Sequence, residues 1–178
     1  VTEIGCSAFK GCTALKSVVI PKGVTKVDLS VFNGCTSLES VTIPTGVTKI
    51  FKQAFSGCSS LKSITIPEGV THIDEWTFAN CSALENIILP NTVEEIGDNA
   101  FRGCTSLENI TLPDSITQLG SNSFKDCTSL KNIALPKGLK RLERHTFDNC
   151  SALESVDLAG VKTIEAFAFV NCNSLKSI

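Results

Sequence analysis

Cysteine is the residue type with the most chemical potential in this 178-residue chain, because nine thiols could form disulfides or bind a metal. Eight of them recur 23 residues apart, with one final step of 22: Cys12, Cys35, Cys58, Cys81, Cys104, Cys127, Cys150 and Cys172. In such a column small apolar thiols pack well, and their parallel Cβ directions do not suit a disulfide. We therefore expect a reduced packing column. Cys6 lies outside it at a variable position, either as a free surface thiol or, alternatively, paired with another molecule.

The two histidines offer little further chemistry. His72 and His145 fall in different columns three repeats apart, so they cannot share a metal ion at ordinary coordination distances. The chain contains no Gly-x-Ser-x-Gly, no Cys-x-x-Cys and no phosphate-binding loop. We therefore expect a protein that is not an enzyme and that binds no metal or cofactor.

Composition argues against two classes of partner. The 16 basic and 18 acidic residues leave a net charge of −2, which gives no electrostatic basis for binding nucleic acid. No apolar run approaches the ~20 residues that a membrane-spanning helix needs, so we expect no membrane insertion. The start of the chain lacks the features of a secretion signal and falls inside a repeat, which indicates a segment of a longer array.

The cysteine column belongs to a repeat that extends over residues 1–178. Two more columns keep the same step: Phe9, Phe32, Phe55, Phe78, Phe101, Phe124, Phe147 and Phe169; and Leu15, Leu38, Leu61, Leu84, Leu107, Leu130, Leu153 and Leu175. The single 22-residue step lies near Ala159, where a column of prolines also stops. A fixed period of this length indicates a solenoid, in which each unit buries its apolar side against its neighbours. We predict one array of about eight coils.

One unit, residues 63–84, predicts the structure of each coil. Ile64 and Ile66 alternate with polar residues, as in a strand with one buried face. Pro67 cannot donate a ladder hydrogen bond and therefore ends the strand. The segment 75–81 spaces its buried Phe and Cys three apart, which suits one turn of α- or 3₁₀-helix. The expected fold is a repeat solenoid with a parallel β-sheet on one face and short extended and helical segments on the other.

The consensus Leu-x-x-Ile-x-Ile-Pro-x-Gly-Val-Thr-x-Ile-x-x-x-Ala-Phe-x-x-Cys-x-x-Leu resembles the BspA-like class of leucine-rich repeats over the whole chain. Departures are minor: the proline is absent at Ala159, and the alanine before phenylalanine is replaced at Val31, Thr77, Ser123 and Thr146. The resemblance implies a leucine-rich-repeat arc. Because such arrays belong mostly to surface or secreted proteins of bacteria and some protozoa, it also implies an extracellular or cell-surface location and a role in adhesion and protein binding.

The outward side of the predicted first strands is the candidate binding surface. Small, mostly polar residues form two parallel columns there, and we call their central part the front face: Ser40, Thr42, Ser63, Thr65, Asn86, Ile88, Asn109, Thr111, Asn132 and Ala134. Two interpretations stay open, an ordinary solvated sheet or a docking surface for a protein or glycan. In the second interpretation, variation at Ile88 and Asp157 would encode specificity.

A column of charged residues runs beside the front face: Lys16, Glu39, Lys62, Glu85, Glu108, Lys131, Glu154 and Lys176. Six of its seven neighbouring pairs are opposite in sign. Mutual compensation therefore explains this charge column better than attraction of a ligand does.

Two further surface features have alternative interpretations. Leu29, Phe51 and Trp76 replace polar or small residues of their columns and form either an apolar contact patch or a chance placement. Neither end of the chain carries a polar capping repeat, so end-to-end stacking through uncapped ends would make the protein a structural spacer or self-assembling scaffold. This is the alternative to a recognition module.

Overall fold

A computed structural model describes residues 1–158 and 160–178, which form a β-solenoid of about six turns. Each unit contributes up to two short strands, and every pairing between strands is parallel. The first strands of the units are β1 (Ser17–Val19), β3 (Ser40–Thr42), β5 (Ser63–Thr65), β7 (Asn86–Ile88), β10 (Asn132–Ala134) and β12 (Ser155–Asp157). The second strands are β2 (Lys26–Val27), β4 (Lys49–Ile50), β6 (His72–Ile73), β8 (Glu95–Ile96), β9 (Gln118–Leu119), β11 (Arg141–Leu142) and β13 (Thr163–Ile164).

The register of the strands follows the repeat in the sequence. Ile64 of β5 lies opposite Ile87 of β7, 23 residues further on, so like side chains stack on like. Between β11 and β13 the offset is 22, since Arg141 lies opposite Thr163. The shortened unit predicted from the sequence is therefore visible in the pairing. The expected loss of a residue and of the proline at Ala159 lies outside the described residues.

A spine of stacked phenylalanine rings occupies the interior. Ring centroids of successive copies lie 5.3 to 5.6 Å apart with nearly parallel planes, and Phe55, Phe78 and Phe101 contact one another in sequence. Six rings of the column are fully buried, whereas Phe9 is 37% exposed and Phe169 is partly buried. About six turns are therefore enclosed on both sides. The predicted eight coils are not confirmed, because the outermost copies have a neighbour on one side only.

The predicted helical segment is not confirmed either, since the described residues contain no helix. Within 75–81, the N–H of Ala79 donates to the carbonyl three residues earlier at 3.2 Å. The N–H groups of Trp76, Phe78 and Asn80 instead donate to the next coil, at 3.0, 2.8 and 2.7 Å. An α-helix needs consecutive N–H groups to donate along its own axis. Alternate donors here join the coils, and left-handed backbone at Trp76 and Asn80 (φ 60° and 59°) permits the alternation.

Among 1–158 and 160–178, no helix has the length and apolar character that spanning a bilayer requires.

Candidate functional site

The cysteine column is a packing element. All nine thiols are free, and those inside the array are buried. The Cys81 thiol donates to the carbonyl of Phe55 in the preceding coil at 3.2 Å, and the same contact recurs along the column. Burial raises the pKa of Cys58 to about 12 and holds those of Cys81 and Cys104 well above the usual value. Because the thiolate is the reactive form, these groups are poor nucleophiles and poor metal ligands.

Cysteine and histidine side chains also occur at the surface. Cys6 and Cys12 are exposed in the first unit. His72 lies 3.6 Å from the Glu95 carboxylate on the solvent-exposed side of β6 and β8, far along the chain from His145. In the part of the chain that the structure describes, no three His, Cys, Asp or Glu side chains group so that they could hold a metal ion.

One partly buried ion cluster, around Asp148, was not predicted from the sequence. The Asp148 side chain is only 7% exposed, accepts a hydrogen bond from Lys125 and lies 2.9 Å from Nδ1 of His145. Burial opposes ionisation of this carboxyl, but the hydrogen bonds from Lys125 and His145 outweigh it and lower the pKa of Asp148. Lys125 and Asp148 occupy the same column of neighbouring repeats with opposite charges, and that signal could have revealed the pair. The cluster joins adjacent coils and has a structural role.

The structure brings the front face together as a single surface. All ten of its residues are exposed, and they alternate with inward-facing residues that belong to the core or pack against it. The two columns are in register, since Thr65 lies opposite Ile88 and Asn109 lies opposite Asn132. Eight of the ten residues lie on strands β3, β5, β7 and β10, whereas Asn109 and Thr111, predicted on a strand, lie in a segment that forms one isolated bridge and no strand. Whether the surface binds a partner stays a prediction.

The sheet under the front face is interrupted between β3 and β5 and between β7 and residues 109–112, and residues 109–112 join β10 through one isolated bridge, between Asn109 and Asn132. Between β5 and β7 the N–H of Ile66 donates to the carbonyl of Ile88 at 2.9 Å. The equivalent bond from Leu89 to Thr111 is not formed within the described residues, and β3 and β5 also lack a hydrogen-bonded ladder there. We call the gap between β3 and β5 the first split and the gap between β7 and residues 109–112 the second split. A shallow cleft opens at each, of about 310 Å³ and about 250 Å³.

The two splits differ in chemistry. Hydroxyl groups of Ser40, Thr42, Ser63 and Thr65 are prominent in the lining of the first split. The cleft at the second split is lined by Ile87, Ile88, Leu89, Asn91, Thr111 and Pro113, four of which are apolar residues. The front face therefore has a shallow cleft at each split, and one large exposed apolar side chain, Ile88, lies beside the second.

The charge column flanks this surface as a series of partly compensated groups. Lys131 Nζ lies 2.7 Å from Glu108 Oε2, and Lys176 Nζ lies 2.8 Å from Glu154 Oε2. Glu85 forms no ion pair within 4.0 Å among residues 1–158 and 160–178. Glu85 is therefore the member of the column beside the second split whose charge has no direct partner.

The three residues of the candidate apolar patch lie in different surroundings. Leu29 is 42% exposed, whereas Phe51 and Trp76 are half-buried. The Arg102 guanidinium lies over the Trp76 ring at 5.8 Å, and Phe51 lines a separate hollow of about 200 Å³. No ring contact between Phe51 and Trp76 is present in the described part of the chain. A contact role for this patch stays a prediction.

Comparison with known proteins identifies relatives of the whole array. A family model for the BspA type leucine-rich repeat region matches residues 1–104 and 78–178 in six copies. The crystal structure of the T. pallidum leucine-rich repeat protein is similar, with a TM-score of 0.87 and 32% identity over 91% of this chain and 78% of that one. No curated protein matches the sequence.

Two further solved structures extend the comparison. A leucine-rich cell surface protein of Faecalibacterium prausnitzii A2-165 is 30% identical over the full chain, with a TM-score of 0.75, and the present chain spans only 64% of its length. The pneumococcal vaccine antigen PcpA shares the fold, with 24% identity and a TM-score of 0.69. The match covers 91% of this chain and 50% of PcpA. With the family model covering every unit and the strands, spine and register in place, the chain belongs to the BspA-type leucine-rich repeat family.

Proposed function

We propose that this chain is a protein-binding module of an extracellular or cell-surface protein and that the front face is its contact surface. The observation that carries the proposal is the exposure of all ten front-face residues in register over consecutive coils. The similarity to a cell surface protein of F. prausnitzii supports the location. A role in adhesion would be one form of such binding.

The chemistry of the front face supports a macromolecular partner. Its ten residues carry no charge, while the charge column runs alongside it. Protein interfaces have this arrangement, with charged residues depleted at the centre and a polar rim around it. Hydrogen-bonded strands lie ~4.8 Å apart, so the five coils of the front face extend over roughly 20 Å. A shallow surface of this kind suits a protein better than a small molecule, which needs a concave pocket.

Selection of displayed peptides tests this proposal. Random peptides are selected on phage against the wild-type chain, and the affinity of each binder is then measured by biolayer interferometry. A front-face variant carries Thr65→Lys, Ile88→Lys and Thr111→Lys. We expect it to bind at least about tenfold more weakly, a loss of about 1.4 kcal/mol. The melting temperature should fall by only about 2 to 4 °C, because all three side chains are exposed and only the repulsion between the stacked lysines opposes folding.

A matched control variant distinguishes an effect of the front face from a general effect of added positive charge. Thr25→Lys, Thr48→Lys and Thr117→Lys add the same charge at exposed positions immediately before second strands. This variant is expected to bind the selected peptides within about twofold of the wild type. Peptides whose affinity depends on the control positions and not on the front face would show that the contact surface is elsewhere.

A further inference from the structure

The second split combines several properties found nowhere else on the front face. Ile88 is 63% exposed in the middle of the array, where the same column carries threonine or alanine in the flanking units. On one side of Ile88, its strand β7 is hydrogen-bonded to β5. On the other side, the cleft opens toward Thr111 and Pro113. A large exposed apolar side chain beside a surface depression is a feature of contact sites, since contact removes that apolar surface from water.

Backbone groups at the second split add polar capacity to this depression. The N–H of Leu89 and the carbonyl of Thr111 form no hydrogen bond to each other within the described residues, although their counterparts Ile66 and Ile88 do. Backbone groups that lack an internal partner bond to water or to a ligand. A partner that enters the cleft can therefore exchange water for its own hydrogen-bonding groups.

Charge distinguishes the second split from the first. Glu85 and Glu108 flank the second split and are the like-charged neighbouring pair in the charge column, whereas Glu39 and Lys62 at the first split are opposite in sign. Glu108 pairs with Lys131 on its far side, and Glu85 has no ion pair within 4.0 Å among the described residues. Like charges on neighbouring strands repel, so a cation placed between the two carboxylates is favoured.

We infer that the second split is the anchoring point of the front face and binds an extended protein segment that presents an apolar side chain and a nearby lysine or arginine. The inference rests on the proposed function and names the partner chemistry of that surface. The apolar side chain packs beside Ile88, and the basic group lies between Glu85 and Glu108. Ile88 follows Glu85, which precedes β7, by three residues, so their Cα atoms are at most roughly 10 Å apart. A segment with the two side chains two residues apart spans about 7 Å, and the flexible basic side chain covers the remainder.

An NMR titration with defined peptides tests this inference. The probe is acetyl-Gly-Ser-Leu-Ser-Arg-Ser-Gly-amide, added to the ¹⁵N-labelled chain. We expect saturating shifts of the amide signals of Ile88, Leu89 and Thr111. Two comparison peptides, with glutamate in place of arginine or serine in place of leucine, are expected to bind about fivefold or more weakly, since each lacks one anchor. Absence of localised shifts with the first peptide overturns the inference.

Protein variants supply the matched control. Glu85→Gln with Glu108→Gln keeps the size of both exposed side chains and is expected to weaken binding of the arginine peptide about fivefold or more. Glu39→Gln changes one carboxylate at the first split and is expected to leave the affinity within about twofold of the wild type. Equal effects of the two changes would contradict an anchoring point at the second split.

The outcomes separate this inference from the proposed function. If displayed peptides require Thr65 and Thr111 but bind the Glu85→Gln, Glu108→Gln variant as tightly as the wild type, the front face is the contact surface and the anchoring point is wrong. If those peptides are indifferent to the front face, both statements are wrong. Loss of binding in both variants supports both.

Discussion

Replacing Phe78 by alanine removes a central ring of the phenylalanine spine. Phe78 is fully buried and stacks on Phe55 and Phe101 with ring centroids 5.5 Å away on each side. Truncation of an enclosed phenylalanine leaves a cavity and costs about 3 to 5 kcal/mol. The two lost ring contacts, at about 0.5 to 1.5 kcal/mol each, form part of that cost. Because the free energy of unfolding falls by about 2 kcal/mol for each molar increase in urea, the urea concentration at the unfolding midpoint should fall by about 1.5 to 2.5 M.

Phe9→Ala is the matched control for this change. The Phe9 ring is 37% exposed and has a single ring neighbour, Phe32 at 5.5 Å. Its truncation removes less buried surface and one stacking contact, so we expect less than half the cost of Phe78→Ala. Urea unfolding followed by circular dichroism gives the two midpoints. Hydrogen exchange shows whether the halves of the array separate, because interrupted repeat arrays can lose cooperativity. A Phe9→Ala cost equal to that of Phe78→Ala would refute the stacking argument.

Three further predictions concern the polar and sulfur groups of the interior. Asp148→Asn should lower the free energy of unfolding at neutral pH by about 2 kcal/mol. Folding lowers the pKa of Asp148, so the ionised carboxylate contributes to stability above its unfolded pKa of about 3.9, and this contribution is lost as pH falls through the folded pKa. The melting temperatures of the variant and the wild type should therefore converge in acid. A difference that persists in acid would contradict a stabilising role of the ionised carboxylate. Iodoacetamide should label Cys6 and Cys12 in the folded chain and spare the buried thiols, as measured by mass spectrometry. Rapid labelling of the buried cysteines would show that the coils open. Ser123→Ala should leave the melting temperature unchanged or raise it, because the buried Ser123 hydroxyl has no hydrogen-bond partner within the described residues; a clear loss of stability would reveal a partner.

The strands and the spine were predictable because each is determined by a period. The alternation at Ile64 and Ile66 and the 23-residue spacing of Phe78 follow directly from which side chains must face inward. The helical segment was not predictable in the same way. A spacing of three between buried Phe and Cys fits a helical turn and also the tight turns of 75–81. The choice depends on where alternate N–H groups donate, and their acceptors lie in the next coil, which local spacing does not reveal.

The candidate site was predictable as a surface but not in its interruptions. Exposure of Thr65 and Ile88 follows from the alternation of the strands. The splits do not, because the unpaired neighbours β3 and β5 have nearly the same composition as strands that do pair. Register and side-chain type therefore leave the spacing between two coils undetermined. The like-charged pair Glu85 and Glu108 was visible in the sequence and coincides with one split, but Glu39 and Lys62 at the other split are opposite in sign.

The architecture separates the residues that stabilise the array from those available for recognition. Each interior position contacts its equivalents in the coils above and below, so a change at Phe78 or Cys81 disturbs two interfaces at once. A front-face side chain contacts solvent on its outer side, and a change such as Ile88→Thr leaves the buried columns beneath it intact. Interior columns are accordingly constrained to a strict period, while the front face can vary from coil to coil. Under the proposed function, a partner would be recognised through the departures from the repeat, and Ile88 is the largest such departure on this face.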